Sequence, residues 1–186
     1  GNTYHIKVAV DGQVFTSSTQ ILAPAPLDSI IVEPAPISRA DTDSLVQLTA
    51  YFSEPNPIGN YYRLLSKKNN DPLFDVAFNS IYDDAIINGK AIQFTITGGK
   101  SQFQNNDTAD FRQYGYFKKG DKVLVKWASI DKAQYDFWKT FEAQSSSFGN
   151  PFSPTVIVKS TFKGAGCLGV WAGYGCTIDT IIIPKD

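Results

Sequence analysis

Residues 120–141 read GDKVLVKWASIDKAQYDFWKTF, and this stretch joins a β-strand to the one amphipathic helix that the sequence predicts. In its first half, Val123, Val125 and Trp127 alternate with the residues between them, which is the period of a strand that buries one face. In its second half, apolar residues recur at the spacing of one helix face, namely at Ile130, Ala133, Phe137, Trp138 and Phe141. We therefore predict a helix over about residues 130–145, capped at its N-terminus by Ser129 or Asp131. Both tryptophans of the stretch are expected in the core.

The rest of the chain reads mainly as β-strands joined by turns. Asp11-Gly12 and Asn88-Gly89 each lie between two alternating runs, and both dipeptides suit the positive φ angles of a two-residue hairpin turn. Two final strands are predicted over residues 154–162 and 176–184, whereas residues 71–84 read as irregular. These patterns predict a mostly β fold, an antiparallel β-sandwich or a partly open barrel with the helix packed on it.

Prolines suggest how the chain divides. Residues 24–37 hold four of the ten prolines and read as a linker with one short strand inside it, because proline favours extended backbone and removes a ladder donor. Residues 1–23 then form a hairpin from a domain whose earlier strands are absent from this chain. Residues 38–186 form the main β domain.

Composition excludes several classes of function. The net charge is −1 and the isoelectric point is about 5.8, so the chain lacks the basic footprint of a nucleic-acid-binding protein. No apolar run approaches the roughly 20 residues of a membrane-spanning helix. The single histidine, His5, lies on the more polar face of the first strand, where we expect no catalytic or metal-binding role. We predict no cofactor and no metal site.

Five short motifs follow one another in order along most of the chain. They are GNYYRL at 59–64, FNS…INGK at 78–90, GDKVLV at 120–125, SIDKAQYDFWKTF at 129–141 and GAGCLGVWAGY at 164–174. Together they resemble the domain-of-unknown-function 4249 family of Bacteroidetes outer-membrane lipoproteins. In that family the last motif is a glycine-rich close, where backbone turning or close approach of two chain segments is the expected need.

The resemblance implies a place in the cell envelope, as an exported outer-membrane lipoprotein often found alongside TonB-dependent transporters. Members carry a lipid anchor and an N-terminal β-sandwich, which implies that residues 1–23 are the last hairpin of an Ig-like β-sandwich domain. Membrane attachment would then depend on a lipid anchor that this chain does not contain. The resemblance implies no catalytic residues.

Cys167 and Cys176 lie nine residues apart, with glycines around both, and they are not part of the family pattern. An exported protein meets an oxidising environment, so we expect a disulfide between them if the segment folds back on itself. The alternative is two buried thiols that act as small apolar groups. Zinc prefers four nitrogen or sulfur ligands, and His5 would be only the third candidate.

Aromatic residues near glycines suggest a binding surface for a glycan or a peptide. The candidates are Trp171, Tyr174, Tyr62 and Arg63, although aromatic residues more often belong to the core. Thr108 lies in an Asp-Thr-Ala triplet similar to the O-glycosylation sequence of exported Bacteroidetes proteins.

Three functions remain open from the sequence. The first is a non-enzymatic lipoprotein module that assists binding or uptake at a TonB-dependent outer-membrane transporter. The second is a structural or adhesion-type surface protein without a small ligand. A hydrolase is the least favoured, because the chain has one histidine, no nucleophile elbow and no metal-ligand spacing.

Overall fold

A computed structural model describes residues 1–36, 44–98, 115–146 and 156–185. Within these ranges no helix is long and apolar enough to cross a membrane. The strands in chain order are β1 (Thr3–Val10), β2 (Gln13–Gln20), β3 (Ser29–Pro34), β4 (Leu45–Ser53), β5 (Tyr61–Lys68), β6 (Asp75–Asp83), β7 (Ala91–Ile96), β8 (Phe117–Lys118), β9 (Lys122–Ile130) and β10 (Gly175–Ile182). The helix, α1, is Lys132–Ser146.

The strands form two open antiparallel sheets and a separate hairpin. One sheet, which we call the β9 sheet, has the order β10-β9-β5-β6, and the other, the β4 sheet, has the order β3-β4-β7. The short strand β8 pairs with the start of β4, and β1 pairs only with β2. The predicted class is confirmed: the fold is mostly β, with antiparallel sheets that do not close into a barrel in the part of the chain described.

Trp127 lies at the centre of the main core. It is 2% exposed, and its ring centroid lies 5.0 Å from that of Tyr62 and 5.4 Å from that of Phe52. Val123 and Val125 precede it on the same face of β9 and are fully buried. Alternation in β9 therefore predicted this face correctly, since every second side chain of a strand points to the same side.

The opposite face of the β9 sheet carries the helix. Asp131 caps α1, because its Oδ1 accepts a hydrogen bond of 2.9 Å from the backbone N–H of Gln134. The predicted bounds of the helix are confirmed within two residues, but its predicted apolar stripe is wrong in part. Gln134 is fully buried and Tyr135 nearly so, whereas Phe141 is 44% exposed.

Gln134 and Tyr135 are buried under the helix where apolar residues were predicted, and their contacts explain why. The amide nitrogen Nε2 of Gln134 donates to Thr19 Oγ1 at 2.6 Å and to the carbonyl oxygen of Gly173 at 3.1 Å. The ring of Tyr135 lies 4.6 Å from that of Tyr61, centroid to centroid. Burial of the Gln134 amide nitrogen is tolerated because its hydrogen bonds are made, although Oε1 has no partner among the described residues. Apolar spacing alone does not reveal such partners.

The prediction of a hairpin at Asn88-Gly89 is wrong. The strands on either side of it, β6 and β7, lie in different sheets. The chain crosses between the sheets through a helical turn, in which the N–H of Asn88 donates to the carbonyl oxygen of Asp84 at 2.9 Å. The carboxylate of Asp84 also accepts the backbone N–H of Gly59 at 2.7 Å, which joins this turn to the loop before β5.

Strand β6 was not predicted from the sequence, because its two-residue alternation of side chains is interrupted. Its pairing with β5 jumps from Ile81 opposite Arg63 to Val76 opposite Leu65, and Asn79 inside the jump has a positive φ of 58°. Such a β-bulge inserts residues that the partner strand does not match. A strand with a break of this kind has no continuous two-residue period for the sequence to show.

The opening hairpin forms as predicted. Asp11 and Gly12 have φ angles of 48° and 75°, as a two-residue primed turn requires. The hairpin forms an isolated bridge with the residue that follows a predicted strand: Thr16 and Lys163 exchange backbone hydrogen bonds of 3.2 and 2.8 Å. Residues 156–162 form no strand, so the prediction of a strand over 154–162 is wrong over its described part. The division of the chain into domains stays a prediction.

Asp131 also joins the hairpin to the helix. Its Oδ2 accepts hydrogen bonds from the backbone N–H of Gln20 at 3.0 Å and from the hydroxyl of Thr19 at 3.2 Å. The same carboxylate oxygen accepts a bond of 3.0 Å from Nε2 of Gln134. One side chain thus both caps α1 and holds the end of β2.

We predict that Asp131→Asn separates these two roles. Asparagine keeps the capping oxygen, but its amide nitrogen would face the donors of Gln20 and Gln134. We expect the free energy of unfolding in urea to fall by about 1–3 kcal/mol, because the fully buried amide of Gln134 loses an acceptor. Amide hydrogens of β2 should also exchange faster with solvent.

The matched control is Asp136→Asn on the same helix. Asp136 pairs with Lys132 at 2.9 Å and with Lys159 at 3.4 Å near the surface. We expect it to cost about 1 kcal/mol or less and to leave exchange in β2 unchanged. Equal exchange in β2 for the two variants would contradict the proposed link.

Candidate functional site

A cavity of about 630 Å³ lies between α1 and the bulged strand β6. The helix supplies Trp138, Lys139 and Phe141 to its wall, and the β9 sheet supplies Arg63, Val76 and Ile81. The bulge in β6 interrupts the regular surface on which the helix packs, and Asn79 within it also lines the cavity. The broken register of β6 therefore lies at the cavity wall.

Arg63 is the buried cation of this cavity. It is only 4% exposed, and its guanidinium carbon lies 3.4 Å from the centroid of the Trp138 ring. Nη1 donates a hydrogen bond of 2.8 Å to the hydroxyl oxygen of Tyr174. Nε is buried without a hydrogen-bond partner, and no carboxylate of the described residues lies within 4.0 Å of the guanidinium. Two of the four predicted binding residues, Arg63 and Tyr174, thus meet at one place.

The prediction that Trp138 lies in the core is wrong. The side chain is half-buried on the helix face that lines the cavity, with Arg63 against its ring. Its Nε1 has no hydrogen-bond partner among the described residues. Helical spacing correctly placed Trp138 on the inward face, but spacing cannot tell a filled core from a cavity.

A second cation lies at the cavity wall. Nζ of Lys139 lies 2.8 Å from the hydroxyl oxygen of Tyr135, and that hydroxyl donates to the carboxylate of Asp83. Burial, together with the bond to Asp83, raises the pKa of Tyr135 above its ordinary value. The hydrogen bond to Tyr135 raises the pKa of Lys139. Near neutral pH the phenol is therefore protonated and the ammonium charged.

One acid also lines the cavity. Glu142 accepts a hydrogen bond from the hydroxyl of Ser80, which is fully buried. Burial raises the pKa of Tyr82 to about 12, and the nearby carboxylate of Glu142 is the second cause. The cavity thus combines two cations, one carboxylate held by a hydroxyl, and apolar walls.

Tyr62 lies away from this cavity, which corrects its assignment to a binding surface. It is 1% exposed, and its ring stacks on Trp127 in the main core. Its hydroxyl donates to Oε1 of Glu54 at 3.0 Å, and burial raises its pKa well above the ordinary range. Tyr62 and Arg63 are neighbours in β5, so alternation sends them to opposite faces of the sheet.

Trp171 is half-buried beside the opening hairpin. Its backbone N–H donates to Oγ1 of Thr161 at 2.8 Å, and its indole nitrogen has no partner among the described residues. It does not line the cavity. The structure therefore does not bring Trp171 together with Arg63 and Tyr174.

The glycines of residues 164–175 allow the backbone to approach the hairpin closely. A Cβ atom on Gly175 would lie 1.8 Å from the carbonyl oxygen of Leu22, and one on Gly173 would lie 2.5 Å from Ile21 Cγ1. The N–H of Gly173 donates to Oγ1 of Thr19 at 3.0 Å. This is the close backbone contact expected of the glycine-rich motif.

The predicted disulfide is absent from the structure. Cys167 and Cys176 are both free cysteines and both partly buried. Cys176 lies in β10 opposite Ala128, where it packs in the small core beneath α1. The residues between the two cysteines are spread along Thr161 and Thr19 instead of folding back. The alternative of two thiols acting as small apolar groups describes Cys176.

Two further predictions concern other parts of the chain. Thr108 lies outside the described residues. Within residues 1–36, 44–98, 115–146 and 156–185, no group of three or more His, Cys, Asp or Glu side chains could hold a metal ion.

We predict that Tyr62→Phe weakens the fold. Loss of the hydroxyl leaves the buried carboxylate of Glu54 short of a donor, so the free energy of unfolding in urea should fall by about 1–3 kcal/mol. Tyr51→Phe is the matched control, because Tyr51 is 36% exposed and its hydroxyl bonds no described residue. A Tyr62→Phe protein as stable as the control would show that this hydroxyl has no structural role.

Comparison with known proteins places the chain in a family. The model of the family described as Domain of unknown function (DUF4249) matches residues 1–172. No curated protein and no solved structure matches the chain. The matched range contains the opening hairpin, the cavity residues and most of the glycine-rich motif. This chain therefore belongs to the DUF4249 family.

Proposed function

We propose that this chain is a non-enzymatic binding module of the cell envelope, which holds a ligand in the cavity between α1 and β6. The observation that carries the proposal is a cavity of about 630 Å³ with the buried cation Arg63 in its wall. Sites for small ligands usually measure about 300–1,000 Å³ and combine apolar walls with a few placed polar groups. This cavity fits that description in both size and lining.

Tyr135 and Lys139, two of the lining groups, are held in their protonated states. Tyr135 has a raised pKa and Lys139 is held as a charged ammonium, so neither is prepared to act as a general base at neutral pH. Arg63 is fixed by Trp138 and Tyr174 and serves as a rigid donor. A fixed cation with apolar walls is suited to holding a ligand.

We further propose that the module works at the outer membrane as the accessory of a TonB-dependent transporter. This step rests on the resemblance to outer-membrane lipoproteins within the DUF4249 family. The protein would be an exported lipoprotein of the outer membrane. The ligand, a glycan or a peptide, would pass from the cavity to the transporter.

One observation favours an adhesion role as the second candidate. Ile178 and Ile182 on strand β10 are 52% and 74% exposed, and β10 is an edge of the β9 sheet. Exposed apolar residues on a sheet edge can pair with another protein. An adhesion protein would use this edge and would leave the cavity without a ligand.

A thermal-shift screen with glycans and peptides tests the binding function. A ligand at a hundred times its Kd should add about 2.7 kcal/mol to the free energy of unfolding and raise the melting temperature by several degrees. Val76→Trp should abolish the shift, because Val76 is 42% exposed in the cavity wall and a larger ring fills that space.

Ile178→Trp is the matched control, since Ile178 is also exposed on the β9 sheet but outside the cavity. It should keep the ligand-induced shift. Loss of the shift in the Ile178 variant alone would move the binding site to the β10 edge. A melting temperature that no library member changes would leave the adhesion role as the better candidate.

The transporter proposal needs its own measurement. Crosslinking of the full-length lipoprotein in its native cells, followed by purification, should recover a TonB-dependent transporter with the wild type. The adhesion role would be supported instead if other surface proteins were recovered without a transporter. Those proteins should then no longer be recovered with the Ile178→Asp and Ile182→Asp variants.

A further inference from the structure

The guanidinium of Arg63 is an incompletely paired buried charge. Its Nη1 is bonded to Tyr174, but its Nε is buried and has no hydrogen-bond partner. Burial of a charged donor without a partner costs more than burial of a neutral one. Almost all such groups in folded proteins are bonded to protein, to water or to a ligand. The Nε–H of Arg63 therefore lacks an acceptor, which a ligand in the cavity could supply.

The acids nearest to the cavity are engaged with hydroxyl groups. Glu142 accepts from Ser80, and Asp83 accepts from Tyr135. Neither forms an ion pair with Arg63, whereas Asp83 lies 3.9 Å from Nζ of Lys139. A further negative group in the cavity would be attracted by one unneutralised guanidinium and one partly neutralised ammonium, against the single lining carboxylate of Glu142 among the described residues.

The remaining wall is apolar. Val76 and Phe141 are 42% and 44% exposed, and both face the cavity, as do Ile81 and the ring of Trp138. A ligand body that covered these residues would remove apolar surface from water, which is favourable in proportion to the area. The cavity is therefore suited to a ligand that carries an acidic group on an apolar body.

We propose that the cavity recognises a carboxylate carried by an apolar body, with the carboxylate bound to Arg63 and Lys139. This inference rests on the proposed binding function and names the chemical class of its ligand. A guanidinium presents a planar fork that matches the two oxygens of a carboxylate. Trp138 and Tyr174 hold that fork in place, so little entropy is lost when the ligand binds.

Two sources could present this carboxylate, a peptide C-terminus with an apolar last residue or an acidic sugar. Isothermal titration of the wild-type protein distinguishes them with three probes. These are N-acetyl-Ala-Ala-Phe as the free acid, the same peptide as its C-terminal amide, and a glucuronate disaccharide. We expect the free acid to bind about ten to a hundred times more tightly than the amide, because bonds to charged groups are the stronger ones.

Nuclear magnetic resonance provides a readout at the cation itself. The Nε–H resonance of Arg63 should shift on addition of a carboxylate probe and should stay in place with the amide. Whichever of the peptide acid and the glucuronate moves this resonance at the lower concentration identifies the source.

A pair of lysine variants tests the second cation without touching the buried one. Lys139→Gln should weaken binding of the free acid several-fold and leave the amide unaffected. Lys132→Gln is the matched control, since Lys132 lies on the same helix, has the same charge and does not line the cavity. It should leave both affinities unchanged. Neither lysine is buried, so both variants should fold.

The outcomes separate this inference from the function on which it rests. If acid and amide bind equally well, carboxylate recognition is wrong and the binding function stands. If no carboxylate probe binds at millimolar concentration while library ligands still raise the melting temperature, the inference is wrong by itself. If neither probes nor library ligands bind, both are wrong.

Discussion

The two-residue alternation of β5 and β9 is the constraint on which the rest of the structure depends. These strands pair along almost their full lengths in the middle of the β9 sheet, and each of their faces packs against another layer. On one face, Tyr62 and Trp127 meet the β4 sheet in the main core. On the other face, Arg63 and Ala128 lie beneath α1. A shift of one residue in either strand would exchange the two sets.

This constraint explains both what the sequence could predict and what it could not. Strand β9 and the Asp11-Gly12 turn were predictable because each depends on neighbouring residues alone. The turn at Asn88-Gly89 was not, since the same dipeptide can join two strands of one sheet or cross between sheets. Asp84 holds this turn through hydrogen bonds to Asn88 and to Gly59 in the loop before β5. The family was predictable because its motifs keep their order along the sequence.

The candidate site was less predictable than the fold. Arg63 and Tyr174 were chosen as binding residues from their types and neighbours, but their contact joins two residues that are 111 apart in sequence, one in β5 and one just before β10. Trp138 was predicted to lie in the core from its helical spacing. That spacing is the same whether the space in front of the ring is filled or empty. The cavity borders the bulge of β6 at Asn79, and the sequence around Asn79 shows only a lost alternation.

The glycine-rich segment connects the opening hairpin with the cavity. Gly173 lies against the hairpin through its hydrogen bond to Thr19, and the next residue, Tyr174, accepts the hydrogen bond of Arg63. The carbonyl of Gly173 also accepts from Gln134 of the helix. Two adjacent residues thus contact the hairpin, the helix and the buried cation. Because a side chain at 173 or 175 would collide with the hairpin, the glycines keep Tyr174 at the position where it orients Arg63. The glycine-rich motif thus acts through its backbone, by fixing the geometry of a cation that lies elsewhere in the sequence.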